Sequence, residues 1–208
     1  MANLAELTAA IERGDRATAT RVTNEAIAEG NDPTMVLSAM TAAMDVVGGR
    51  FQRNEIYVPE MLISARAMKE SMALIEPILA GAGIRRDHTA VVGTIHGDLH
   101  DIGKNLVAMM WKGAGIEVID LGTNVPADRF VSAAKEHGAD LIGVSALLTT
   151  TMVGMAGVVA AVRAADLPRV RIVVGGAPIT EEYAERIGAD GYAPDAGSAA
   201  AVAKRLLA

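Results

Sequence analysis

The 208-residue sequence contains no cysteine and few aromatic residues. The lack of cysteine excludes disulfides, thiolate nucleophiles, iron–sulfur clusters and zinc sites built on cysteine. Aromatic residues make up only 3% of the chain although 51% of it is hydrophobic, so aliphatic side chains and methionine must fill the core. The length allows one large domain or two small ones, with a sizeable core.

An excess of positive charge and long apolar runs are also missing. The formal net charge is −6 at pH 7, whereas nucleic-acid binding needs a basic footprint, so we expect no nucleic-acid partner. No apolar run approaches the roughly 20 residues that span a bilayer. The first residues, MANLAELTAAIERGD, carry charges early and do not resemble a secretory signal. We therefore expect no membrane association and a cytoplasmic location.

The sequence up to about residue 79 has apolar residues at helical spacing and almost no strand character. Asp32 and Pro33 are typical of a helix start, with Asp32 as N-cap and Pro33 at the first helical position. Another helix is predicted from near Pro59 to about Ile75. Four short helices with short connections predict a small bundle in a domain of residues 1–84, and Gly81–Asp87 predicts a linker.

Residues 88–208 alternate between strand and helix patterns, and a single helix is predicted from Thr150 to Ala165. The five predicted strands are Thr89–Ile95, Glu117–Leu121, Leu141–Ser145, Arg171–Val174 and Gly191–Tyr192. This alternation predicts an α/β domain with a five-stranded parallel, doubly wound sheet of the flavodoxin type. Ligands of such sheets bind beyond the carboxyl ends of the strands, so the loops at that edge are the candidate sites.

The loop after the first predicted strand is unusually polar and reads HGDLHDIG, from His96 to Gly103. Asp98 and His100 are two residues apart, so in an extended loop their side chains point the same way. This arrangement suits a metal-bound imidazole whose other nitrogen donates to a carboxylate. Taken alone, however, the loop favours a turn in which Asp98 and Asp101 are capping residues and His100 is incidental. Zinc is poorly supported, because further ligands at a recognisable spacing are missing.

Two other loops at predicted strand ends are rich in small and hydroxylated residues. They are Ser145–Thr151, after the third strand, and Gly175–Pro178, after the fourth. Such loops could leave a deep slot beside the sheet, into which a nucleotide-like tail would fit. Ordinary strand-to-helix turns explain each loop equally well when it is considered singly.

Together, the three loops resemble the cobalamin-binding signature D-x-H-x-x-G…S-x-L…G-G. The matching residues are Asp98, His100, Gly103, Ser145, Leu147, Gly175 and Gly176. The segment Tyr57–Lys69 resembles the helical cap of cobalamin-dependent methionine synthase. The segment Gly188–Ala196 resembles corrinoid proteins of methanol, methylamine, methoxy-aromatic and betaine methyltransferase systems. The resemblance covers nearly the whole chain.

This resemblance implies a cobalamin or related corrinoid that is bound base-off and His-on and alternates between methyl-Co(III) and Co(I). His100 would be the lower ligand of the cobalt, Asp98 would orient His100, and Thr151 would complete the relay at a position that is often serine. Gly103 would let the bulky ligand approach the backbone. The implied cofactor-binding residues besides Asp98 and His100 are Leu99, Asp101, Ile102, Gly103, Ser145, Leu147, Thr149, Gly175, Gly176, Ala177, Tyr192, Tyr57, Met61 and Met68.

In the helical domain, the resemblance places Tyr57, Met61 and Met68 nearest the cobalt. For the two methionines, the core of the bundle is at least as good an explanation, because methionine commonly fills irregular core space.

The function that the resemblance implies is a methyl carrier, a corrinoid subunit of a methyltransferase system rather than a complete catalyst alone. A substrate-specific methyltransferase would load the cobalt, and a second one would unload it onto a thiol or tetrahydrofolate. A reductive activase is the third implied partner. The Gly81–Asp87 linker would act as a hinge. The alternative is a cobalamin-dependent sensor, although no basic DNA-binding segment is visible. A mutase subunit fits the helical cap less well, and a response-regulator domain would need an acidic pocket and a lysine that are not found.

Overall fold

The computed structural model describes residues 2–82 and 88–208. These residues form two compact units, the first made chiefly of residues 2–82 and the second chiefly of residues 88–208. The predicted domain boundary and most of the predicted hinge fall on residues 83–87, which lie outside the described residues. Both therefore stay predictions.

The described part of the first unit is a bundle of four helices, as the periodicity predicted. They are α1 (Leu4–Glu12), α2 (Arg16–Ala28), α3 (Pro33–Gln52) and α4 (Val58–Gly81). The first three have N-cap residues whose side chains each accept a backbone N–H of the first turn, namely Asn3, Asp15 and Asp32. The N-cap predicted at Asp32 is thus confirmed. In the parts of the chain that the structure describes, no helix is both long and apolar enough to cross a bilayer.

The second unit alternates strands and helices around one parallel sheet. Its elements are β1 (Thr89–Thr94), α5 (Ile102–Gly113), β2 (Glu117–Asp120), α6 (Ala127–His137), β3 (Leu141–Ser145), α7 (Thr149–Met152), α8 (Met155–Ala164), β4 (Arg171–Gly175), α9 (Glu181–Ile187), β5 (Gly191–Ala193) and α10 (Ala196–Leu207). The strand order is β2-β1-β3-β4-β5, with parallel pairing throughout. This is the predicted flavodoxin-type arrangement.

The single helix predicted from Thr150 to Ala165 is wrong, because the segment forms two helices. The four-residue α7 ends at Met152, and α8 begins at Met155. Three consecutive β-branched threonines and Gly154 all have poor helix propensity, which favours a break between them. The break makes α7 a separate element directly after the β3 loop.

Glycines in two strands make room for the two largest buried side chains of the second unit. A β carbon on Gly93 would lie 2.8 Å from the Phe130 ring, and one on Gly143 would lie 2.8 Å from the Trp111 ring. Gly143 pairs with Val92, the residue before Gly93, so the two glycines face opposite sides of the sheet. The Phe130 ring therefore packs on one face of the sheet and the Trp111 ring on the other. In this way the few aromatic residues of the chain help to fill the core on both faces.

The carboxyl ends of four strands lie in one row. Thr94 pairs with Ser145, Ser145 with Gly175, and Gly175 with Ala193. The loops after β1, β3 and β4 therefore start from the same edge of the sheet. This edge is where a doubly wound sheet binds its ligands.

Candidate functional site

Asp98, in the loop between β1 and α5, is fully buried, and its carboxylate is hydrogen-bonded to four residues. Its Oδ1 accepts the backbone N–H of His100 at 3.1 Å and lies 2.7 Å from Nδ1 of the same residue. Its Oδ2 accepts the backbone N–H of Leu147 at 2.8 Å, that of Leu148 at 3.3 Å, and the Thr151 hydroxyl at 2.7 Å. Asp98 thus joins the β1 loop to the β3 loop and α7.

The protonation of this pair follows from the donors around Asp98. Burial alone would raise the pKa of Asp98, but hydrogen bonds from Leu147, Thr151 and His100 outweigh it and hold the pKa well below its ordinary value. Asp98 is therefore an anion at neutral pH and can only accept. The hydrogen on Nδ1 of His100 must point at Asp98, which leaves the lone pair of the neutral ring on Nε2.

His100 is fixed on one side and open on the other. Its backbone carbonyl accepts the hydroxyl of the buried Thr94 at 2.9 Å, so both its backbone and its Nδ1 are held. The side chain is nevertheless 53% exposed. Among the described residues, none hydrogen-bonds to Nε2. An oriented imidazole with a free lone pair is the arrangement that metal-ligating histidines adopt.

Large apolar side chains are exposed on the same loops. Their exposed fractions are 74% for Leu99, 76% for Ile102, 43% for Leu147, 42% for Leu148 and 67% for Val153. Clustered exposed apolar residues mark surfaces that a ligand or partner covers. Leu99 lies between Asp98 and His100, and Ile102 follows two residues after His100, so an apolar ligand placed over His100 would bury both.

The glycine pair at the end of β4 allows backbones to approach closely. A β carbon on Gly176, whose φ is +129°, would lie 1.8 Å from the Ala146 carbonyl oxygen. A β carbon on Gly175 would lie 2.8 Å from the carbonyl oxygen of Ala193. The β3 and β4 loops therefore touch through their backbones at this point, and Gly176 is required for that contact. Contact of these residues with a corrinoid tail stays a prediction.

The other predicted residues of the second unit lie at the same edge of the sheet. Asp101 and Ala177 are exposed in the loops, Thr149 begins α7, and Tyr192 is half-buried in β5. A β carbon on Gly103 would meet nothing within 4 Å, so open space surrounds this glycine. Their contacts with a cofactor stay predictions.

The three predicted residues of the helical unit differ in exposure. Tyr57 is 65% exposed, whereas Met61 is 0% and Met68 is 4% exposed. Burial favours the bundle-core explanation for the two methionines, which the sequence had left open. Tyr57 is the one of the three whose side chain is accessible to a ligand, and its contact with the cofactor stays a prediction.

Sequence reasoning missed three groups that hold the Asp98–His100 loop. They are the Thr94 hydroxyl on His100, the Leu148 amide on Asp98, and Asn124, which bonds both Gly97 and Asp98. A hydroxyl at the end of the apolar β1 run was the one available signal for Thr94. A backbone amide has no signal in the sequence, and a lone asparagine in a turn is too common to single out.

Comparisons with known proteins agree with this geometry. Two family models, each described as a B12 binding domain, match residues 88–201 and residues 4–76. A corrinoid protein of Desulfitobacterium hafniense is 39% identical over 212 residues, which cover 100% of this chain and 98% of that protein. A dimethylamine corrinoid protein of Methanosarcina barkeri is 40% identical over 207 residues, which cover 99% of this chain and 97% of that protein.

A solved structure is similar over nearly the whole chain. It is a chain of the methanol:cobalamin methyltransferase complex MtaBC from Methanosarcina barkeri, with a TM-score of 0.86 and 27% sequence identity. The similarity covers 98% of this chain and 79% of that chain. The predicted resemblance is confirmed, since the two family matches fall on the helical unit and on the α/β unit. The chain belongs to the family of B12-binding corrinoid proteins.

Proposed function

We propose that this chain is the methyl carrier of a corrinoid-dependent methyltransferase system and that it binds its cofactor base-off, with His100 as the lower ligand of the cobalt. The observation that carries the proposal is the Asp98–His100 pair, whose 2.7 Å contact fixes Nδ1 and leaves Nε2 available. Bound there, the corrinoid would supply a cobalt atom that accepts a methyl group and passes it on.

The donor set of the site fits a corrinoid better than a free metal ion. Among the described residues, no group of three or more histidine, aspartate or glutamate side chains is placed to hold a metal ion. A corrin ring brings four nitrogen ligands of its own, so a single imidazole completes the lower face. The exposed side chains of Leu99, Ile102 and Leu147 would lie against the ring, and burying them contributes roughly 25 cal/mol per Å² of apolar surface.

The Thr151–Asp98–His100 chain would tune the imidazole as a ligand. Asp98 raises the electron density of the ring through Nδ1, and the Thr151 hydroxyl holds Asp98 in place. Because Nδ1 faces the Asp98 anion, Nε2 is the nitrogen that would be offered to the cobalt.

The names of two similar proteins support a role beside a methyltransferase. One is a dimethylamine corrinoid protein, and the other belongs to a methanol:cobalamin methyltransferase complex. We infer that a substrate-specific methyltransferase delivers the methyl group to this chain. A second methyltransferase would remove it to a thiol or tetrahydrofolate, and a reductive activase would rescue oxidised cofactor.

A single-turnover assay tests the carrier role. The protein is loaded with hydroxocobalamin, reduced chemically, and mixed with labelled dimethylamine or methanol and a methyltransferase specific for that substrate. We expect up to one labelled methyl group per chain, which a thiol-specific or folate-specific methyltransferase then removes. The His100→Ala variant should load poorly, whereas His88→Ala, at the opposite edge of the sheet, should load normally. A chain that binds cobalamin but is never methylated, and that binds DNA when cobalamin is present, would instead be a sensor.

A further inference from the structure

Asp98 is held through its backbone as well as through its carboxylate. Asn124, in the loop after β2, donates its N–H to the Asp98 carbonyl at 2.9 Å. Its side-chain Oδ1 accepts the N–H of Gly97 at 2.7 Å. The two bonds lie at opposite ends of the Gly97–Asp98 dipeptide, so one residue fixes both ends.

The position of Asn124 is itself well determined. Its φ is +56°, in the left-handed region that asparagine tolerates better than most residues. The next residue, Val125, bridges to Ile95, and its N–H donates to the Thr94 carbonyl at 2.9 Å. Asn124 is therefore attached to the end of β1 through the backbone, and its Oδ1 is an acceptor at a defined place.

The Asp98 carboxylate tolerates little rotation, because its two oxygens serve opposite partners. Oδ1 faces the backbone N–H and Nδ1 of His100, while Oδ2 faces Leu147 and Thr151. A rotation of the Asp98 backbone that shortened the hydrogen bonds of one oxygen would lengthen those of the other. Such a rotation would occur most easily at Gly97, because glycine has no side chain to restrict its backbone. Its φ is +84°, in the region that favours glycine.

We propose that Asn124 is a positioning residue of the corrinoid site, which aims the Asp98 carboxylate at Nδ1 of His100 by holding both ends of the Gly97–Asp98 dipeptide. The inference deepens the proposed function and rests on it. Asn124 acts through Asp98 and touches neither the imidazole nor, by this proposal, the cofactor.

Three variants separate the side chain from the backbone. Asn124→Gly keeps the left-handed φ and the N–H bond to Asp98 but removes Oδ1. Asn124→Asp keeps an acceptor at the same place. Asp166→Gly is the matched control for added backbone freedom, because Asp166 is exposed and has a φ of +54°. Asp166 lies in the loop before the amino end of β4, whereas the site lies at the carboxyl ends of the strands.

The ligand-free protein gives the first readout. In Asn124→Gly, the Gly97 amide should exchange its hydrogen about tenfold faster, since its acceptor is gone. The ring nitrogens of His100, observed by ¹⁵N NMR, should lose part of their preference for the hydrogen on Nδ1. Asn124→Asp and Asp166→Gly should match the wild type in both measurements.

Methylcobalamin is the probe for the second readout. Loss of one hydrogen bond that orients the site should weaken its apparent affinity for Asn124→Gly about three- to tenfold and reduce the His-on fraction in the visible spectrum. Asn124→Asp and Asp166→Gly should stay within roughly twofold of the wild type.

Wild-type exchange at Gly97 together with a wild-type His100 spectrum in Asn124→Gly would overturn the proposal. Equal losses in Asn124→Asp or in Asp166→Gly would also overturn it, because the side-chain acceptor would then not matter. A wild-type protein that binds no methylcobalamin would contradict the proposed function instead. The ligand-free measurements would still decide the role of Asn124.

Discussion

Replacing Thr151 by valine should destabilise the α/β unit measurably at neutral pH. Valine keeps the shape of threonine but lacks the hydroxyl that donates to Asp98 Oδ2 at 2.7 Å. Asp98 is fully buried, so water does not replace the lost donor. Hydrogen bonds to charged groups contribute about 1.5–3 kcal/mol, which is the loss we expect in the free energy of unfolding. Thr151→Ser keeps the donor and should lose about 1 kcal/mol or less, for the missing methyl group.

Urea unfolding followed by tryptophan fluorescence measures this loss. Trp111 is the single tryptophan of the chain and is fully buried in α5, so its signal reports on the α/β unit. The midpoint in urea should fall for Thr151→Val with an unchanged slope, since the same surface is exposed on unfolding.

The pH dependence adds a second criterion. The lowered pKa of Asp98 means that its ionised form stabilises the fold above the ordinary aspartate pKa of about 3.9. This stabilisation is lost as the pH falls through the lowered value. Without the Thr151 hydroxyl, the pKa of Asp98 should rise towards its ordinary value. The deficit of Thr151→Val should therefore be complete at pH 7 and shrink in acid. Equal free energies of unfolding for Thr151→Val and the wild type at pH 7, or a difference between them that grows in acid, would refute this reasoning.

Two further substitutions probe the surroundings of the site. Gly176→Ala places a β carbon 1.8 Å from the Ala146 carbonyl oxygen at a φ of +129°, and should cost at least about 2–3 kcal/mol by thermal unfolding. Gly138→Ala, at a φ of +58° with nothing near its β carbon, should cost only about 1 kcal/mol, and equal costs would rule out the close approach as the cause. Tyr183→Phe removes the hydroxyl that donates to the Met152 carbonyl at 2.5 Å and should cost about 1 kcal/mol. Because that bond anchors α7, Tyr183→Phe should also shift the ¹⁵N signals of the His100 ring, and unshifted signals would show that the anchor does not reach the site.

The alternation of apolar strand and helix patterns was enough to predict the doubly wound sheet. Continuous apolar runs bounded by turns gave each strand to within one residue. The segment after β3 was misjudged because the run Met152–Val162 consists only of apolar residues, glycine and alanine and is typical of one packed helix. The helix is interrupted for a local reason, because the β-branched threonines and Gly154 have poor helix propensity. The interruption lies next to Thr151, whose hydroxyl donates to Asp98.

The pairing of Asp98 with His100 was predictable, but a cobalt-binding role was implied only by the resemblance of the three loops to the cobalamin-binding signature. Asp98 and His100 are two residues apart, and their contact follows from the local geometry of one loop. The bonds from Leu147 and Asn124 join residues 49 and 27 positions apart. Such long-range contacts depend on how the strand ends align in the folded sheet, which a single sequence does not state. The burial of Met61 and Met68 likewise depends on packing within the bundle rather than on residue type.

The claim that His100 ligates cobalt is tested most directly by electron paramagnetic resonance of the protein loaded with cobalamin in its cobalt(II) state. The unpaired electron couples to the axial nitrogen, so a ¹⁴N ligand splits each line into three and a ¹⁵N ligand into two. The chain has four histidines, and all of them can be labelled with ¹⁵N while the cofactor keeps ¹⁴N. We predict two-line splitting that disappears in His100→Ala and persists in His96→Ala, which alters the same loop. Three-line splitting that labelling and His100→Ala leave unchanged would show that the cofactor's own base ligates the metal, and would contradict the claim.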